Sequence, residues 1–426
     1  MKKITIIGGG YVGIPLAKSY LSKGLNVQIC DIDPYKVDLL NKNINPLSNK
    51  KDMEFENGSI NKLFLASTTF ECVSDSDAVI ICVPTPIDRY KNPDISYVTE
   101  SAKSIARYAR NNVLISLEST TFPGTTEEVL LPLFESFGKV YEKDFLLAYS
   151  PEREDPGNNE FNLSNTPKVV SGLGEKANEK AKKLYEAICE ELFIASSPKV
   201  AETIKLIENI QRSVNIGLMN EMKIFCKRAG INIFEVIDGA ATKPFGFHKY
   251  LPGPGVGGHC IPIDPFYLTY KALEYDLNTD FINLAAEINE SMPQYVIQTI
   301  GDQLNKINKS ISSSKILCLG ITYKKNVSDT RESPQINIIK KLIDMNATVS
   351  YSDPHHPKFP KTRSLSFDSE SLAINSKNLS KQDVVVLLTD HDTFNYDLIH
   401  KESKILIDTR GKFSSLYGYE NKSVIS

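Results

Sequence analysis

The chain has 426 residues, of which 41% are hydrophobic and 24% are charged, close to the average for globular proteins. This composition excludes a disordered chain, a collagen-like repeat and a small disulfide scaffold, and the length predicts about three domains of ~150 residues. The 49 basic residues nearly balance the 52 acidic ones, so no basic excess indicates binding to nucleic acid or to an anionic membrane. No apolar run approaches the ~20 residues that a membrane span requires.

The amino terminus and the cysteines favour a cytoplasmic protein. The apolar residues 4–7 run into three glycines, and no small-residue cleavage site follows, so we expect a strand entering a turn and not a secretory signal. The seven cysteines lack regular spacing and a CxxC pair, which is typical of reduced thiols. No spaced Cys/His pair accompanies His259 and Cys260, so we expect no metal.

The first part of the chain alternates short β-branched runs with helical stretches, such as residues 12–22 and 98–107. Strands are predicted at residues 4–7, 27–31, 78–83, 113–117, 145–149 and 168–171. This alternation predicts a parallel, doubly wound α/β sheet. We assign residues 1–200 to this domain.

Long helices replace the alternation after residue 200. Residues 201–229 place apolar side chains at a spacing near 3.6, and Gly230 ends the pattern. At 1.5 Å per residue this helix is ~40 Å long, a length that more often joins domains or builds a dimer interface than lies on one sheet. We assign residues 201–304 to a central helical domain for dimerisation and catalysis.

Strands return after a polar run at residues 305–314, which we interpret as a linker. The C-terminal part carries a predicted helix at residues 335–345 and predicted strands at residues 315–319, 348–351, 383–388 and 404–407. Residues 305–426 therefore form a second, smaller α/β domain. The predicted fold class is α/β, with two Rossmann-like doubly wound domains joined by a central helical module that contains one long helix.

A glycine pattern near the amino terminus predicts a dinucleotide site. The sequence between the first predicted strand and the helix that follows matches G-x-G-x-x-G at Gly8, Gly10 and Gly13. The first glycine permits the tight turn, the second permits the close approach of a pyrophosphate, and the third lets the helix pack closely on the strand. Asp31 follows Gly13 by 18 residues, where its carboxylate accepts hydrogen bonds from the ribose and repels a 2′-phosphate. The pattern thus predicts NAD in preference to NADP. A glycine turn with a capping aspartate is the alternative.

Other cofactor contacts are expected around the same turn and at the carboxyl edge of a later strand, where ligands of such sheets bind. The residues are Tyr11, Val12, Asp33, Lys36, Pro84 and Thr85. For Asp33 and Lys36, a position on the surface without cofactor contact is an equal alternative. For Pro84 and Thr85, a proline-rich turn without cofactor contact is an equal alternative.

Cys260 lies in a stretch rich in proline and glycine, residues 252–265, for which we predict neither a helix nor a central strand. A cysteine in a rigid, open loop is poorly explained as a core residue. Beside a nicotinamide it indicates a nucleophile, to which an aldehyde adds before hydride loss yields a thioester. Asp264 is placed to hold or activate water. Judged from this loop alone, a structural cysteine is an equal alternative.

Motifs along nearly the whole chain resemble the UDP-glucose/GDP-mannose dehydrogenase family of nucleotide-sugar 6-dehydrogenases. They are residues 8–13, 83–86, 118–120, 150–152, 205–209, 257–264, 323–333 and 408–410. The resemblance implies an NAD domain, a central helical dimer module and a C-terminal domain that binds the nucleotide diphosphate. It also implies oxidation of the sugar C6 hydroxyl to a carboxylate with two NAD per turnover.

The resemblance makes Cys260 the nucleophile. It implies that Lys205 and Asn209, four residues apart and so on one helix face, stabilise the developing oxyanion. Without the resemblance, Lys205 would be interpreted as a solvent-exposed helix residue, as most lysines are.

The resemblance also gives roles to residues that follow predicted strands. Thr120 and Asp264 would position water, Glu152 would act as a general base in thioester hydrolysis, and Ser119 and Thr120 would contact the cofactor. Without the resemblance, a carboxylate in the position of Glu152 is more often solvated or capping.

The substrate site implied by the resemblance combines central and C-terminal residues. Lys324, Arg331 and Arg410 resemble the diphosphate and sugar contacts, for which arginine forks are suited. A charged surface loop is the alternative for these three. The other residues assigned to the substrate are Glu152, Arg153, Lys205, Asn209, Gly257 and Tyr323.

The identity of the sugar depends on departures from the family's glucose branch. That branch reads P-E-F-L-R-E-G and G-G-x-C-x-P-K-D, whereas this chain has Arg153 after P-E and Ile263 in place of the lysine. Several segments look closest to UDP-N-acetylglucosamine 6-dehydrogenases of bacterial surface-polysaccharide pathways, with Arg212 or His248 as a donor to the acetamido group. UDP-N-acetylmannosamine, UDP-N-acetylgalactosamine and UDP-glucose remain open, because epimers differ in single hydroxyl groups.

Two other functions are weighed against this one. A one-step 2-hydroxy-acid or 6-phosphogluconate-type dehydrogenase shares the Rossmann start and helices but needs no cysteine. A non-catalytic nucleotide-sugar-binding protein needs none of Lys205, Asn209, Cys260 and Asp264, which are all present. A homodimer is the smallest assembly expected.

Overall fold

The computed structural model describes residues 1–47, 63–153, 160–161, 163–362, 365–419 and 424–425. The chain folds into two compact units. The first unit comprises residues 1–208 and 266–278, and the second comprises residues 209–265 and 279–426.

An eight-stranded sheet forms the centre of the first unit. Its strands are β1 (Lys3–Ile7), β2 (Asn26–Cys30), β3 (Phe64–Ser67), β4 (Ala78–Ile81), β5 (Val113–Leu117), β6 (Phe145–Tyr149), β7 (Lys168–Gly172) and β8 (Leu192–Ile194). The spatial order is β3-β2-β1-β4-β5-β6-β7-β8, and every neighbouring pair is parallel except β6 and β7. The strand order reverses between β1 and β4, so a crevice for a ligand is expected at their carboxyl ends.

Helices accompany this sheet, and its strands β4 to β7 are buried on both faces. The helices are α1 (Gly13–Ser22), α2 (Pro34–Asn41), α3 (Ser96–Tyr108), α4 (Leu131–Ser136) and α5 (Glu175–Tyr185). Ile80 belongs to one core cluster, whereas its neighbours Val79 and Ile81 belong to the other. Since successive strand residues point to opposite faces, apolar runs of this kind require cover on both sides.

Four helices follow: α6 (Pro198–Ala229), α7 (Ile233–Ala241), α8 (Asp264–Leu273) and α9 (Asp280–Asn305). The long helix predicted at residues 201–229 is confirmed as α6, and Gly230 ends it at a φ of 71°. Two predicted boundaries are wrong. Asp264 and Pro265 open α8, because the first turn of a helix needs no N–H donor from proline. Asn305 belongs to α9 and not to the linker.

The second unit contains a five-stranded parallel sheet of β9 (Lys315–Leu319), β10 (Thr348–Ser352), β11 (Val384–Leu387), β12 (Leu406–Asp408) and β13 (Val424–Ile425) in the order β10-β9-β11-β12-β13. Its helices are α10 (Pro334–Asp344), α11 (Ser376–Leu379), α12 (Tyr396–Glu402) and α13 (Lys412–Tyr417). The predicted α/β class, with a helical middle and one long helix, is confirmed. Among the described helices, none combines the length and the apolar character needed to cross a membrane.

Candidate active site

The three glycines between β1 and α1 differ in what a side chain would meet. A Cβ on Gly8, which has a φ of 105°, would lie 2.6 Å from the Cys82 carbonyl oxygen, and one on Gly13 would lie 1.9 Å from the Gly8 oxygen. A Cβ on Gly10 would meet no atom within 4 Å. Packing of the protein itself therefore requires glycine at two positions. At Gly10 the open space fits the close approach of a pyrophosphate.

Asp31 holds this turn against the end of β2. Its Oδ2 accepts the Gly9 N–H at 2.7 Å, and its Oδ1 accepts the Asp33 N–H at 2.9 Å. The Lys36 ammonium lies 3.6 Å from Oδ2, and Asp33 caps α2. A carboxylate at this strand end, beside open space at Gly10 and the amino terminus of α1, fits the ribose and phosphates of a dinucleotide.

The end of β5 is joined to the end of β4. The Ser119 hydroxyl donates to the Val83 carbonyl oxygen at 2.7 Å, and Thr120 follows as a half-buried residue. Thr85 is buried in the segment that follows β4. Thr120 and Thr85 thus lie at the carboxyl ends of neighbouring strands, where a ligand of the sheet binds.

A buried ion pair that the sequence analysis missed lies at the same edge. Lys168 Nζ lies 3.1 Å from Glu118 Oε2 and donates to the Pro151 carbonyl oxygen at 3.3 Å. Burial raises the pKa of Glu118, although the positive charge of Lys168 acts in the opposite direction. The sequence shows only that Glu118 follows one predicted strand and that Lys168 begins another. Neither indicates which partner it meets.

Lys205 reaches the chain just after β6. Its buried ammonium donates to the Glu152 carbonyl oxygen at 2.6 Å and lies 3.7 Å from Glu152 Oε2. Two of the three predicted catalytic residues of the first unit are therefore in direct contact, and the third is Thr120. Asn209 stands one turn further along α6.

Arg153, predicted to contact the substrate, makes contacts within the protein. Its guanidinium forms an ion pair with Glu208 and donates to the Pro167 carbonyl oxygen at 2.7 Å. Arg153 thereby ties the residue after Glu152 to α6. Arg212 and His248, the predicted acetamido donors, are exposed.

In the second unit, Cys260, Asp264 and Asn209 are linked by hydrogen bonds. Asp264 N–H donates to the Cys260 carbonyl oxygen at 2.8 Å in the turn that precedes α8, and Asn209 Nδ2 donates to Asp264 Oδ2 at 2.6 Å. Cys260 is half-buried. The predicted nucleophile therefore lies one turn before a carboxylate whose orientation an amide fixes.

The loop before Cys260 packs on the segment of residues 323–334. The Gly258 N–H donates to the Arg331 carbonyl oxygen at 3.1 Å, and a Cβ on Gly257 would lie 2.7 Å from Tyr323 Cβ. Gly258 has a φ of 88°, a value that favours glycine. Burial lowers the pKa of His259, and the nearby Arg331 charge adds to this effect, so the neutral imidazole is favoured.

Three basic residues predicted to bind the diphosphate also lie in the second unit. Arg331 forms an ion pair with Asp329 at 2.7 Å, while Arg410 donates through Nε to the Leu388 carbonyl oxygen at 2.8 Å. Lys324 is half-buried in the turn that follows β9. Arg331 and Arg410 are thus both oriented by hydrogen bonds within the protein, and the forked contact of Arg331 is made to Asp329.

Sequence profiles of the UDP-glucose/GDP-mannose dehydrogenase family match the chain in three places. The NAD binding domain of the family matches residues 2–189, its central domain matches residues 199–291, and its UDP binding domain matches residues 317–415. Together these matches cover most of the chain.

Known proteins of related sequence align with most of the chain, and their sequence identities to it are close to one another. It is 35% identical over 401 residues to the UDP-N-acetyl-D-mannosamine dehydrogenase of Methanococcus maripaludis, covering 92% of this chain and 87% of the relative. It is 35% identical over 356 residues to the UDP-N-acetyl-D-glucosamine 6-dehydrogenase of Pseudomonas aeruginosa, covering 83% and 82%. The solved UDP-D-ManNAc dehydrogenase of Pyrococcus horikoshii has a TM-score of 0.85 and 31% identity, covering 96% of this chain and 95% of that one.

Proposed function

Because the chain belongs to the UDP-glucose/GDP-mannose dehydrogenase family, and is thus an NAD-dependent nucleotide-sugar dehydrogenase, we propose that it oxidises C6 of a UDP-N-acetylhexosamine, first among them UDP-N-acetylglucosamine. The observation that carries the acetamido class is the 35% identity to relatives that act on such sugars. Two positions that depart from the glucose branch support it. Ile263 is buried where that branch has lysine, and Arg153 is held by Glu208.

The first unit supplies the groups that would hold the cofactor. Gly10 offers open space to the pyrophosphate, and Asp31 offers its carboxylate to the adenosine ribose. NAD, when bound, accepts one hydride in each of two oxidations. The proposal assigns the further contacts to Tyr11, Val12, Asp33, Lys36, Pro84, Thr85, Ser119 and Thr120.

We assign the covalent chemistry to the thiol of Cys260. In the first oxidation the C6 alcohol gives up a hydride and its hydroxyl proton and becomes an aldehyde. The Cys260 sulfur then bonds to the aldehyde carbon, and loss of a second hydride and a proton converts this thiohemiacetal into a thioester. Water adds to the thioester carbon, the C–S bond breaks, and the thiol and the C6 carboxylate are released.

The neighbouring polar residues would handle the protons and the oxyanion. Asp264, oriented by Asn209, is assigned to hold the water and receive a proton, with Thr120 as its helper. The ammonium of Lys205 is assigned to the oxyanion that develops on the C6 oxygen. Glu152 is assigned to the base that activates water in hydrolysis, and its contact with Lys205 supports the pairing.

Counting the cofactor reduced per sugar tests this proposal. Purified protein with excess NAD receives limiting UDP-N-acetylglucosamine, its N-acetylhexosamine epimers or UDP-glucose, and the NADH formed per sugar consumed is measured. Two NADH per UDP-N-acetylglucosamine supports the full proposal. Two for another sugar alone corrects the substrate, one indicates an oxidation that stops early, and none contradicts the dehydrogenase on this panel.

We propose further that the protein works as a homodimer or a higher homo-oligomer. Leu218 and Phe225 lie seven residues apart, hence on one face of α6, and are 50% and 58% exposed. Phe281 and Leu284 on α9 are exposed as well. Large apolar side chains exposed on long helices are typical of surfaces that a second subunit covers.

A further inference from the structure

His391 follows β11 and lies fully buried at the carboxyl edge of the five-stranded sheet. Its Nδ1 accepts the Asn326 N–H at 3.0 Å. Its Nε2 lies 3.2 Å from Asp353 Oδ2 and 3.1 Å from Thr322 Oγ1. A backbone N–H can only donate, so Nδ1 carries no proton and the ring proton lies on Nε2, where the Asp353 carboxylate accepts it.

Asp353 stands in this sheet where Asp31 stands in the other. Asp31 directly follows β2, which pairs with β1, and Asp353 directly follows β10, which pairs with β9. Each carboxylate accepts two backbone N–H groups, and those of Asp353 come from Ile321 and His355, both at 2.8 Å. The neighbour of Asp353 is a buried imidazole. Unlike Asp31, Asp353 also accepts a hydrogen bond from this imidazole, so its carboxylate is engaged by groups of the protein itself.

The turn held by His391 carries Lys324. Asn326 has a φ of 60°, and its side chain exchanges two hydrogen bonds with Asp392, one from Asn326 Nδ2 at 2.5 Å and one from the Asp392 N–H at 3.1 Å. The Thr389 hydroxyl donates to the Thr322 carbonyl oxygen at 2.5 Å. Residues 389–392 therefore hold both ends of the turn of residues 322–326.

The same segment continues to the nucleophile loop. The Tyr323 N–H donates to the Asp329 carbonyl oxygen at 3.2 Å, and the Arg331 carbonyl oxygen accepts the Gly258 N–H, two residues before Cys260. The turn after β9 and the loop of Cys260 are thus joined by backbone hydrogen bonds.

We propose that His391 is a positioning residue for the UDP-sugar, which acts by fixing through Nδ1 the turn that presents Lys324. The inference rests on the proposed binding of the UDP moiety by Lys324 and Arg331. His391 touches neither substrate nor cofactor in this proposal. Its loss should therefore weaken UDP binding and leave NAD binding unchanged.

Two substitutions separate the two nitrogens of the ring. The amide of glutamine reaches the place of Nε2, so His391→Gln keeps a donor for Asp353 and leaves the Asn326 N–H without this acceptor. The amide oxygen of asparagine reaches the place of Nδ1, so His391→Asn keeps that acceptor and removes the donor to Asp353. The matched control is His400→Gln in the same unit, where the imidazole of His400 stacks on the ring of Tyr417.

Calorimetric titration with UDP alone and with NAD alone measures the effect. We expect His391→Gln to weaken UDP binding about tenfold, the upper range for the loss of one hydrogen bond. His391→Asn and His400→Gln should bind UDP within about threefold of the unsubstituted protein. In His391→Gln, hydrogen exchange should accelerate in residues 322–331 and stay unchanged in the β1–α1 region.

Three outcomes contradict the inference: unchanged UDP binding by His391→Gln, equal weakening by both His391 variants, or joint loss of UDP and NAD binding. If His391→Gln does not fold, unaltered exchange in residues 322–331 of His391→Asn still supports a role through Nδ1, and accelerated exchange there overturns it. If the unsubstituted protein itself does not bind UDP, the proposed function fails instead.

Discussion

Lys168 and Glu118 form an ion pair with 3% and 0% of their side chains exposed, and the same lysine donates to the Pro151 carbonyl oxygen. Glu118 precedes Ser119 and Thr120 at the end of β5, and Pro151 precedes Glu152 beyond the end of β6. The pair therefore links the two strand ends that carry proposed catalytic residues.

Removing one partner of this pair should be more damaging than removing both. Lys168→Met leaves the Glu118 carboxylate buried without its counter-ion, and we expect the free energy of unfolding to fall by about 3–5 kcal/mol. Glu118→Leu combined with Lys168→Met should recover most of that loss, because the buried charges are gone. Thermal or urea unfolding of the two variants checks this. A double variant less stable than Lys168→Met would contradict it.

The glycine turn allows a test that separates folding from cofactor binding. Gly10→Ala places a Cβ in open space, so we expect an unchanged melting temperature and NAD binding weakened tenfold or more. Gly13→Ala forces a Cβ against the Gly8 oxygen, and we expect destabilisation of about 1–3 kcal/mol. Calorimetric titration with NAD and thermal unfolding give both quantities. Unweakened NAD binding by Gly10→Ala would place the pyrophosphate elsewhere.

Cys260→Ala should abolish uronate formation, because no thioester forms without the sulfur. We expect net turnover to fall by about 10³-fold or more, with NAD binding retained. The matched control is Cys226→Ala, a buried cysteine on α6 in the same unit. NADH release and product analysis are the measurements. Unchanged turnover in Cys260→Ala would exclude the covalent route.

Glu202 should make stability depend on pH in a defined window. Its buried carboxylate accepts hydrogen bonds from the Gly124 and Thr126 N–H groups and from the Thr126 hydroxyl, yet burial raises the pKa to about 7 from 4.5. The folded state thus favours the protonated form. Its contribution to the free energy of unfolding is fully present below pH 4.5 and is lost as the pH rises through 7, by up to about 3 kcal/mol.

Comparison with Glu202→Gln isolates this effect, because the amide does not titrate. The stability of the unsubstituted protein minus that of Glu202→Gln should fall between pH 4.5 and pH 7.5 in urea unfolding. Glu128→Gln is the control of opposite sign, since a hydrogen bond from Lys199 lowers the pKa of Glu128. A difference for Glu202 that stays constant with pH would show that its carboxyl group titrates normally.

The exposed side chains of Leu218 and Phe225 on α6 lead us to predict a dimer. Leu218→Ser with Phe225→Ser should convert the proposed dimer into monomers at micromolar concentration, because two exposed apolar side chains are lost from one face. Leu416→Ser, on the exposed face of α13, should leave the mass unchanged. Sedimentation equilibrium reports the mass. A monomeric unsubstituted protein would refute the dimer.

Sequence patterns predicted the features that depend on residues close together in the chain. The glycines after β1 and the 3.6 spacing of α6 are local, and both were predicted. The strands β3 and β8 were missed because they are short strands at the edges of the sheet whose side chains Leu65 and Phe193 are 51% and 55% exposed, so no continuous apolar run marks them.

Contacts between distant residues could not be predicted in the same way. Lys168 meets Glu118 across 50 residues, and Arg153 meets Glu208 across 55. The first pairing depends on the direction of β7, and nothing local in the sequence showed that β7 runs against β6. The second depends on where the helix α6 lies relative to the end of β6. His391 was missed for a related reason, since its three contacts come from residues after β9 and β10.

The reversed direction of β7 determines which groups its first residue meets. A crossover between parallel strands must travel the length of the sheet, whereas the chain from residue 150 to residue 167 begins and ends at the same edge, because β6 and β7 are antiparallel. β7 therefore begins at the carboxyl edge of the sheet, beside the ends of β5 and β6. This places Lys168, the first residue of β7, where one ammonium group reaches both Glu118 and the Pro151 carbonyl oxygen, whereas a β7 parallel to β6 would carry that lysine to the opposite edge.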